Sequence, residues 1–128
     1  MSWEYQPTIL LPPEEPQVEV TLRVGQGTGT GQTVCRVFPC ELGRDAGCAV
    51  LVQDRWASRR HARLDWDGGL TVTDLGSTNG TRVNGARISG PCPLRTGDVL
   101  TLGRTQVTVE RIEAGHGAPP RQGTVPLL

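Results

Sequence analysis

Asp74-Leu75-Gly76-Ser77-Thr78-Asn79-Gly80-Thr81-Arg82-Val83-Asn84-Gly85 holds two Asn-Gly pairs on either side of Thr81-Arg82-Val83. Asn and Gly tolerate positive φ, so each pair marks a tight turn and the residues between them read as a short strand. Ser77, Thr78 and Asn79 crowd two hydroxyls and an amide onto one loop tip. Backbone N–H groups in such turns point outward and suit an anion.

Period-two alternation continues on both sides of this stretch. Val18-Glu19-Val20-Thr21-Leu22-Arg23-Val24 alternates apolar with polar residues and predicts a strand. The Gly-rich loop 25–31 then returns the chain to Gln32–Phe38, its expected partner. His61–Trp66 and Leu70–Asp74 flank Asp67-Gly68-Gly69, a hairpin signal. Val99–Leu102 and Thr105–Ile112 form the last expected pair, set off by Gly97-Asp98 and Gly103-Arg104. No segment carries a helical stripe. Many short strands with regular turns predict an all-β chain folded as an antiparallel β-sandwich.

At 128 residues the chain has room for one domain with tails. Residues 1–17 contain Pro7, Pro12, Pro13 and Pro16 and read as a flexible, acidic, proline-rich tail. Residues 18–112 are the expected domain. Residues 113–128 are rich in Gly and Pro and read as a disordered C-terminal tail.

Formal net charge is zero, which disfavours a general nucleic-acid or membrane binder. Charge is unevenly spread. The first 20 residues hold four Glu and no base, whereas residues 21–112 hold twelve Arg against eight acids, about +4. All 13 basic residues are Arg. Cys35, Cys40, Cys48 and Cys92 include no Cys-x-x-Cys pair and no nearby His at ligand spacing, so no metal site or cofactor is expected. A secretory signal and a membrane-spanning run are both missing from the sequence, which reads as cytoplasmic with reduced cysteines in the core. The loop GQGTGTG at 25–31 lacks the Lys and the following helix of a nucleotide-binding P-loop.

Two further polar segments precede the Asp74 stretch: Gly43-Arg44 and Ser58-Arg59-Arg60-His61. Arginine presents a planar fork of donors that meets a phosphate dianion at two points. Three loops thus carry phosphate-compatible donors. Ser58 and His61 evoke nucleophilic catalysis, but no carboxylate or oxyanion device accompanies them at a recognisable spacing, so no enzyme is expected.

Leu42-Gly43-Arg44, Val50-Leu51-Val52, Ser58-Arg59-Arg60-His61-Ala62, Asp74–Thr81, Val83-Asn84-Gly85, Leu94–Asp98 and Gly103 stand in an order and spacing that resemble the forkhead-associated (FHA) family. The resemblance covers residues 18–112 and is to small, single-domain bacterial members. It implies an eleven-stranded, SMAD/FHA-like sandwich with ligand loops at one end. It implies binding of threonine-phosphorylated partner proteins in Ser/Thr-kinase signalling, the kinase itself among the candidate partners. By the resemblance, Arg44, Ser58, Arg59 and Thr78 contact phosphate and Asn79 holds the ligand main chain. Gly43, His61 and Gly80 support the site. Trp56, Arg82 and Val83, with Arg55 beside them, are placed to read a ligand residue beyond the phosphothreonine. Some members carry a phosphorylatable threonine in an N-terminal tail that folds back onto the site; Thr8 is the candidate here. The alternative is a phosphate-independent scaffold module, for instance in a secretion or cell-envelope assembly; the intact set Arg44, Ser58, Thr78 and Asn79 argues against it.

Overall fold

A computed structural model describes residues 17–25 and 31–115. Thr8 and the N-terminal tail therefore lie outside the described residues, as do most of the Gly-rich loop and residues 116–128. The compact unit considered below is Glu19–Ile112.

Eleven strands are present among the described residues: β1 (Gln17–Val24), β2 (Gly31–Cys35), β3 (Cys40–Gly43), β4 (Val50–Leu51), β5 (Ala62–Trp66), β6 (Leu70–Asp74), β7 (Thr81–Val83), β8 (Ala86–Arg87), β9 (Cys92–Leu94), β10 (Val99–Leu102) and β11 (Thr105–Gly115). One sheet has the order β2-β1-β11-β10-β7-β8 and the other β4-β3-β5-β6-β9. The two form a sandwich. β1 begins at Gln17 and β11 runs to Gly115, so each strand reaches a little into the segments that read as tails.

The pairings follow from local chemistry. β1 and β2 pair antiparallel with Leu22 opposite Thr33. β2 ends at Cys35, earlier than Phe38, and residues 36–39 turn into β3. β5 and β6 pair across the Asp67-Gly68-Gly69 turn, where Gly68 takes φ 73° and the Asp67 N–H donates to the Gly69 carbonyl at 3.1 Å. Between β7 and β8, both residues of the Asn84-Gly85 turn have positive φ, 52° and 88°. That combination is the type I′ turn whose twist matches the flanking strands. The Asn84 side chain also donates to Asp98 Oδ1 and accepts from the Val99 N–H, both at 3.0 Å, which pins the turn to β10.

One pair departs from the antiparallel expectation. β3 and β4 run parallel over two residue pairs, Leu42–Val50 and Gly43–Leu51. The loop between them doubles back on itself: Asp45 Oδ1 accepts from the Gly47 N–H at 2.9 Å, and the Asp45 carbonyl accepts from the Cys48 N–H at 2.9 Å. The returning chain is then held beside β3 by Val52 N–H to Gly43 O at 2.7 Å.

Alternation places one face of each strand in the interior. Val20, Leu22, Leu42, Val50, Val52, Leu64, Val72, Leu100, Leu102, Val107 and Val109 have no exposed surface. Cys35, Cys40 and Cys48 are free thiols in this interior. Among the described residues no helix is long and apolar enough to cross a membrane.

Register decides where the loops go. Leu42 lies opposite Ala62, and Ala62 lies opposite Asp74. The end of β3, the start of β5 and the end of β6 therefore share one end of their sheet. In the other sheet, Leu102 lies opposite both Thr81 and Thr105. The start of β7 and the β10–β11 turn likewise share one end.

Leu64→Ala removes a fully buried side chain and should lower the unfolding free energy by about 2–5 kcal/mol in urea denaturation. Val34→Ala, at a side chain that is 41% exposed, should change it by no more than about 0.5 kcal/mol.

Candidate functional site

Backbone contacts draw the β3–β4 and β4–β5 loops together. The Arg44 N–H donates to Ser58 O at 3.1 Å, and the Asp45 N–H donates to Arg59 O at 3.0 Å. Arg44 Nε donates to Ala57 O at 3.0 Å. This approach is possible because residue 43 is Gly: a Cβ there would lie 2.1 Å from the Arg59 carbonyl oxygen.

His61 ties the β4–β5 loop to the entry of β7. The imidazole is fully buried. Its Nδ1 accepts the Ser58 N–H at 3.0 Å, and its Nε2 lies 2.9 Å from the Gly80 carbonyl. An acceptor at Nδ1 and a carbonyl facing Nε2 require the tautomer with its proton on Nε2. The ring nitrogen that would deprotonate a nucleophile is thus occupied by the Ser58 backbone. The Ser58 hydroxyl is used elsewhere: Ser58 Oγ accepts the Thr78 N–H at 3.1 Å.

Asp74 shapes the β6–β7 loop from inside. Its Oδ2 accepts the Gly76 and Ser77 N–H groups, both at 3.0 Å. Its Oδ1 accepts the Ser77 hydroxyl at 2.6 Å and the Thr81 hydroxyl at 2.7 Å. Ser77 Oγ in turn accepts the Gly80 N–H at 2.9 Å. Burial pushes the Asp74 carboxyl up, but these hydroxyl and N–H donors outweigh it and hold the group below its ordinary value. Gly80 has φ 81°, and a Cβ on it would strike Arg87 Nε at 2.5 Å.

Asp54 performs a similar task across a much longer stretch of chain. Its Oδ1 accepts the Trp56 N–H at 2.8 Å, while Oδ2 accepts the Arg104 N–H at 2.6 Å and the Thr105 hydroxyl at 2.9 Å. Burial opposes ionisation here too, and the donors prevail, so the carboxyl is held below its ordinary value. Gly103 allows the close fit, since a Cβ would lie 2.7 Å from Ala57 N. The β10–β11 turn is thereby fastened beneath the β4–β5 loop.

The structure therefore joins Arg44, Ser58, Thr78 and Asn79 through a short chain of contacts. Arg44, Thr78 and Asn79 are exposed and Ser58 is half-buried. Two donor assignments are narrower than the sequence allows. The Thr78 N–H is spent on Ser58 Oγ, which leaves its hydroxyl to face a ligand. Asn79 Nδ2 donates to Trp56 O at 2.7 Å, which leaves Oδ1 to accept from a ligand. Arg59 is exposed, and its side chain meets no carboxylate among the described residues. Arg60 points elsewhere, gripping Glu41 with Nε–Oε1 at 2.7 Å and Nη2–Oε2 at 2.5 Å. Arg82 and Val83 sit in β7, opposite Thr101 and Leu100, and among the described residues no hydrogen bond joins their side chains to the other loops. Trp56 is 44% exposed beside Asn79.

A family model, FHA domain, matches residues 40–103. The chain belongs to the forkhead-associated family. It is 36% identical over 91 residues to the FHA domain-containing protein FhaA of Mycobacterium tuberculosis, which covers 70% of this chain. The chain spans only 17% of FhaA's own length. It also matches an FHA structure determined for a structural and functional analysis of phosphothreonine-dependent FHA domain interactions. That match has TM-score 0.66 and 35% identity, and covers 73% of this chain and 96% of that one. A crystal structure of the FhaA FHA domain complexed with the intracellular domain of Rv3910 matches with TM-score 0.64 and 34% identity, over 73% of this chain and 99% of that one.

Sequence reasoning did not single out Asp74 as a support of this FHA site, although an acid just before Gly-Ser is a known local acceptor for turn N–H groups. The link from Asp54 to the β10–β11 turn had no such signal, because Arg104 and Thr105 lie 50 and 51 residues further along the chain.

Asp74→Asn replaces one acceptor oxygen with a donor facing other donors and should lower stability by about 1–3 kcal/mol in thermal or urea unfolding. The lowered carboxyl pKa has a definite sign. It adds stability above the unfolded value of about 3.9 and loses it as pH falls through the lower folded value. The Asn variant should lack that acid-side component. Gly43→Ala forces the β4–β5 loop away from β3 and should cost about 1–3 kcal/mol by the same measurements.

Proposed function

We propose that this chain is a phosphothreonine-dependent protein-binding module that acts as an adaptor in Ser/Thr-kinase signalling. The observation that carries the reading is the convergence of Arg44, Ser58, Thr78 and Asn79 on adjoining loop tips, three of them exposed and Ser58 half-buried. Arg44 and Arg59 supply guanidinium donors to the phosphate, and the Ser58 and Thr78 hydroxyls supply two more. Asn79 Oδ1 accepts an N–H of the ligand main chain. The similarity to FhaA, whose FHA domain was crystallised with the intracellular domain of Rv3910, supports a protein as the partner, and the likeness to a structure determined for phosphothreonine-dependent FHA interactions supports its being phosphorylated.

Energetics favour a reversible contact. Each charge-assisted hydrogen bond to phosphate contributes about 1.5–3 kcal/mol, and ordering the ligand offsets part of the sum. His61 and Asp74 hold the loops in place beforehand, so little loop ordering remains to be done on binding. Binding is the whole output in this reading: His61 serves the Ser58 backbone and the site does no catalysis. The same reading takes the protein to act in the cytoplasm.

Calorimetric titration with phosphothreonine peptides checks the proposal. Binding should require the phosphate and should fall at least tenfold in Arg44→Ala, equivalent to about 1.4 kcal/mol or more. Affinity should also decline as pH drops through about 6, where the phosphate takes up its second proton. Equal binding of the unphosphorylated twin would replace this reading with a phosphate-independent scaffold.

A further inference from the structure

Outside the ligand loops, two thiols meet where the sheets face each other. Cys35 closes β2 at the edge of the six-stranded sheet, and Cys40 opens β3 in the five-stranded one. Register turns both inward: Cys35 lies opposite Val20 and Cys40 opposite Leu64, and all four side chains are buried. Their sulfurs stand 2.9 Å apart, and either can donate to the other. A disulfide needs about 2.05 Å, so the two sulfurs are within an ångström of bonding distance. The other two cysteines are placed differently. Cys48 Sγ donates to Arg59 O at 3.3 Å and Cys92 Sγ to Pro93 O at 3.6 Å, so each faces a backbone carbonyl and not a sulfur.

We propose that Cys35 and Cys40 are an oxidation site: a dithiol that closes to a disulfide under hydrogen peroxide and ties one sheet of the sandwich to the other. This site is separate from the phosphothreonine groove and does not depend on it. The two sulfurs are unequal. The hydrogen bond from Cys40 holds the Cys35 thiol below its ordinary value although burial opposes this, and the same bond, with burial, pushes the Cys40 thiol up. Cys35 therefore attacks first, since the thiolate is the nucleophile. Its sulfur takes one peroxide oxygen, the O–O bond breaks, and Cys35 becomes a sulfenic acid as one water leaves. The Cys40 sulfur then attacks the Cys35 sulfur, the S–O bond breaks, and a second water carries off the hydroxyl with the Cys40 proton. The dithiol loses two electrons, and the peroxide is reduced to two waters.

Access comes from the sheet edge. β2 ends its sheet on one side, and Arg36, Val37 and Pro39 in the connecting loop are exposed. An edge strand and a loop open locally at lower cost than the core, which admits a small neutral oxidant. A transient disulfide of this kind suits a reducing compartment, where thiols stay reduced until an oxidant rises. The bridge closes the six residues 35–40, and that segment is the crossing from one sheet to the other. Cross-linking removes conformational freedom from the unfolded chain and so stabilises the fold.

The test uses the full chain, reduced with dithiothreitol, freed of the reductant and treated with hydrogen peroxide. Thiol titration in denaturant should fall from four to two, and the intact mass should drop by two hydrogens. Trypsin cuts after Arg36, between the two cysteines, and mapping should find the resulting fragments joined through Cys35 and Cys40. The thermal midpoint should rise by about 5–15 °C, as for a short closed loop in a domain of this size, and return when dithiothreitol is added. Cys35→Ser and Cys40→Ser should each abolish the mass loss and the shift, while the Cys48→Ser/Cys92→Ser double variant should keep both. The wild-type map needs no variant, so a Cys35 or Cys40 variant that fails to fold leaves the outcome readable. Bridges to Cys48 or Cys92, or oxidation of those residues with Cys35 and Cys40 still reduced, overturn the proposal. So does a full count of four thiols after peroxide treatment. A Cys35–Cys40 bridge that leaves the midpoint unchanged or lowers it overturns the tie between the sheets.

Discussion

A buried imidazole with hydrogen bonds at both ring nitrogens is the constraint on which the ligand loops depend. His61 accepts from the Ser58 backbone on one side and meets the Gly80 carbonyl on the other. Its own N–H and C=O are zipped to Leu42 and Leu75, each at 2.9 Å. One residue thus connects the end of β3, the β4–β5 loop, the β6–β7 loop and the entry to β7. A buried polar group that loses a partner costs about 1–3 kcal/mol, so neither loop moves without penalty. Gly43 and Gly80 make the arrangement possible, because a Cβ at 43 would collide with the Arg59 backbone and residue 80 takes a φ of 81° that favours glycine. Asp74 completes it from within the second loop, with four donors on two oxygens.

The chain's zero net charge conceals a sorted surface. On the strands and the flank of the β4–β5 loop, arginines face acids: Arg23 with Glu110, Arg36 with Glu19, Arg60 with Glu41 and Arg63 with Asp65. Arg44, Arg55, Arg59 and Arg104 in the loops, like Arg82 and Arg87 on β7 and β8, have no ion-pair partner among the described residues. The acids of these loops, Asp45, Asp54 and Asp74, accept from backbone and hydroxyl donors. Guanidinium groups without an ion-pair partner beside the three loops favour an anionic ligand and speed its encounter. The strand-borne ion pairs are exposed and contribute little to stability. Their larger effect is on where the uncompensated charge resides.

Much of this was legible before any coordinates. Each feature called early has a local cause. The Asp67–Gly69 and Asn84-Gly85 turns follow from residues that accept positive φ, and the strands from period-two alternation. The family motifs marked Arg44, Ser58, Thr78 and Asn79. What escaped notice depends on separation. Asp54 reads as an ordinary loop acid until Arg104 and Thr105 arrive beside it, and Trp56 reads as a lone exposed aromatic until Arg104 crosses its face. The parallel run of β3 and β4 was hidden because two residue pairs leave no periodic signature.

By itself, the sequence determined which segments are strands, where they turn, and which polar residues gather on three loops. Those choices rest on φ preferences and side-chain alternation, which act over a few residues. Tertiary structure alone decided how the donors are allotted. It turned the Thr78 N–H and the Asn79 amide inward to Ser58 and Trp56, leaving a hydroxyl and a carbonyl oxygen for a ligand. It paired Arg60 with Glu41 while leaving Arg59 open to solvent, although the two are adjacent in the chain. Hydrogen bonds and ion pairs depend on positions set to within an ångström, and those positions exist only after the two sheets have packed.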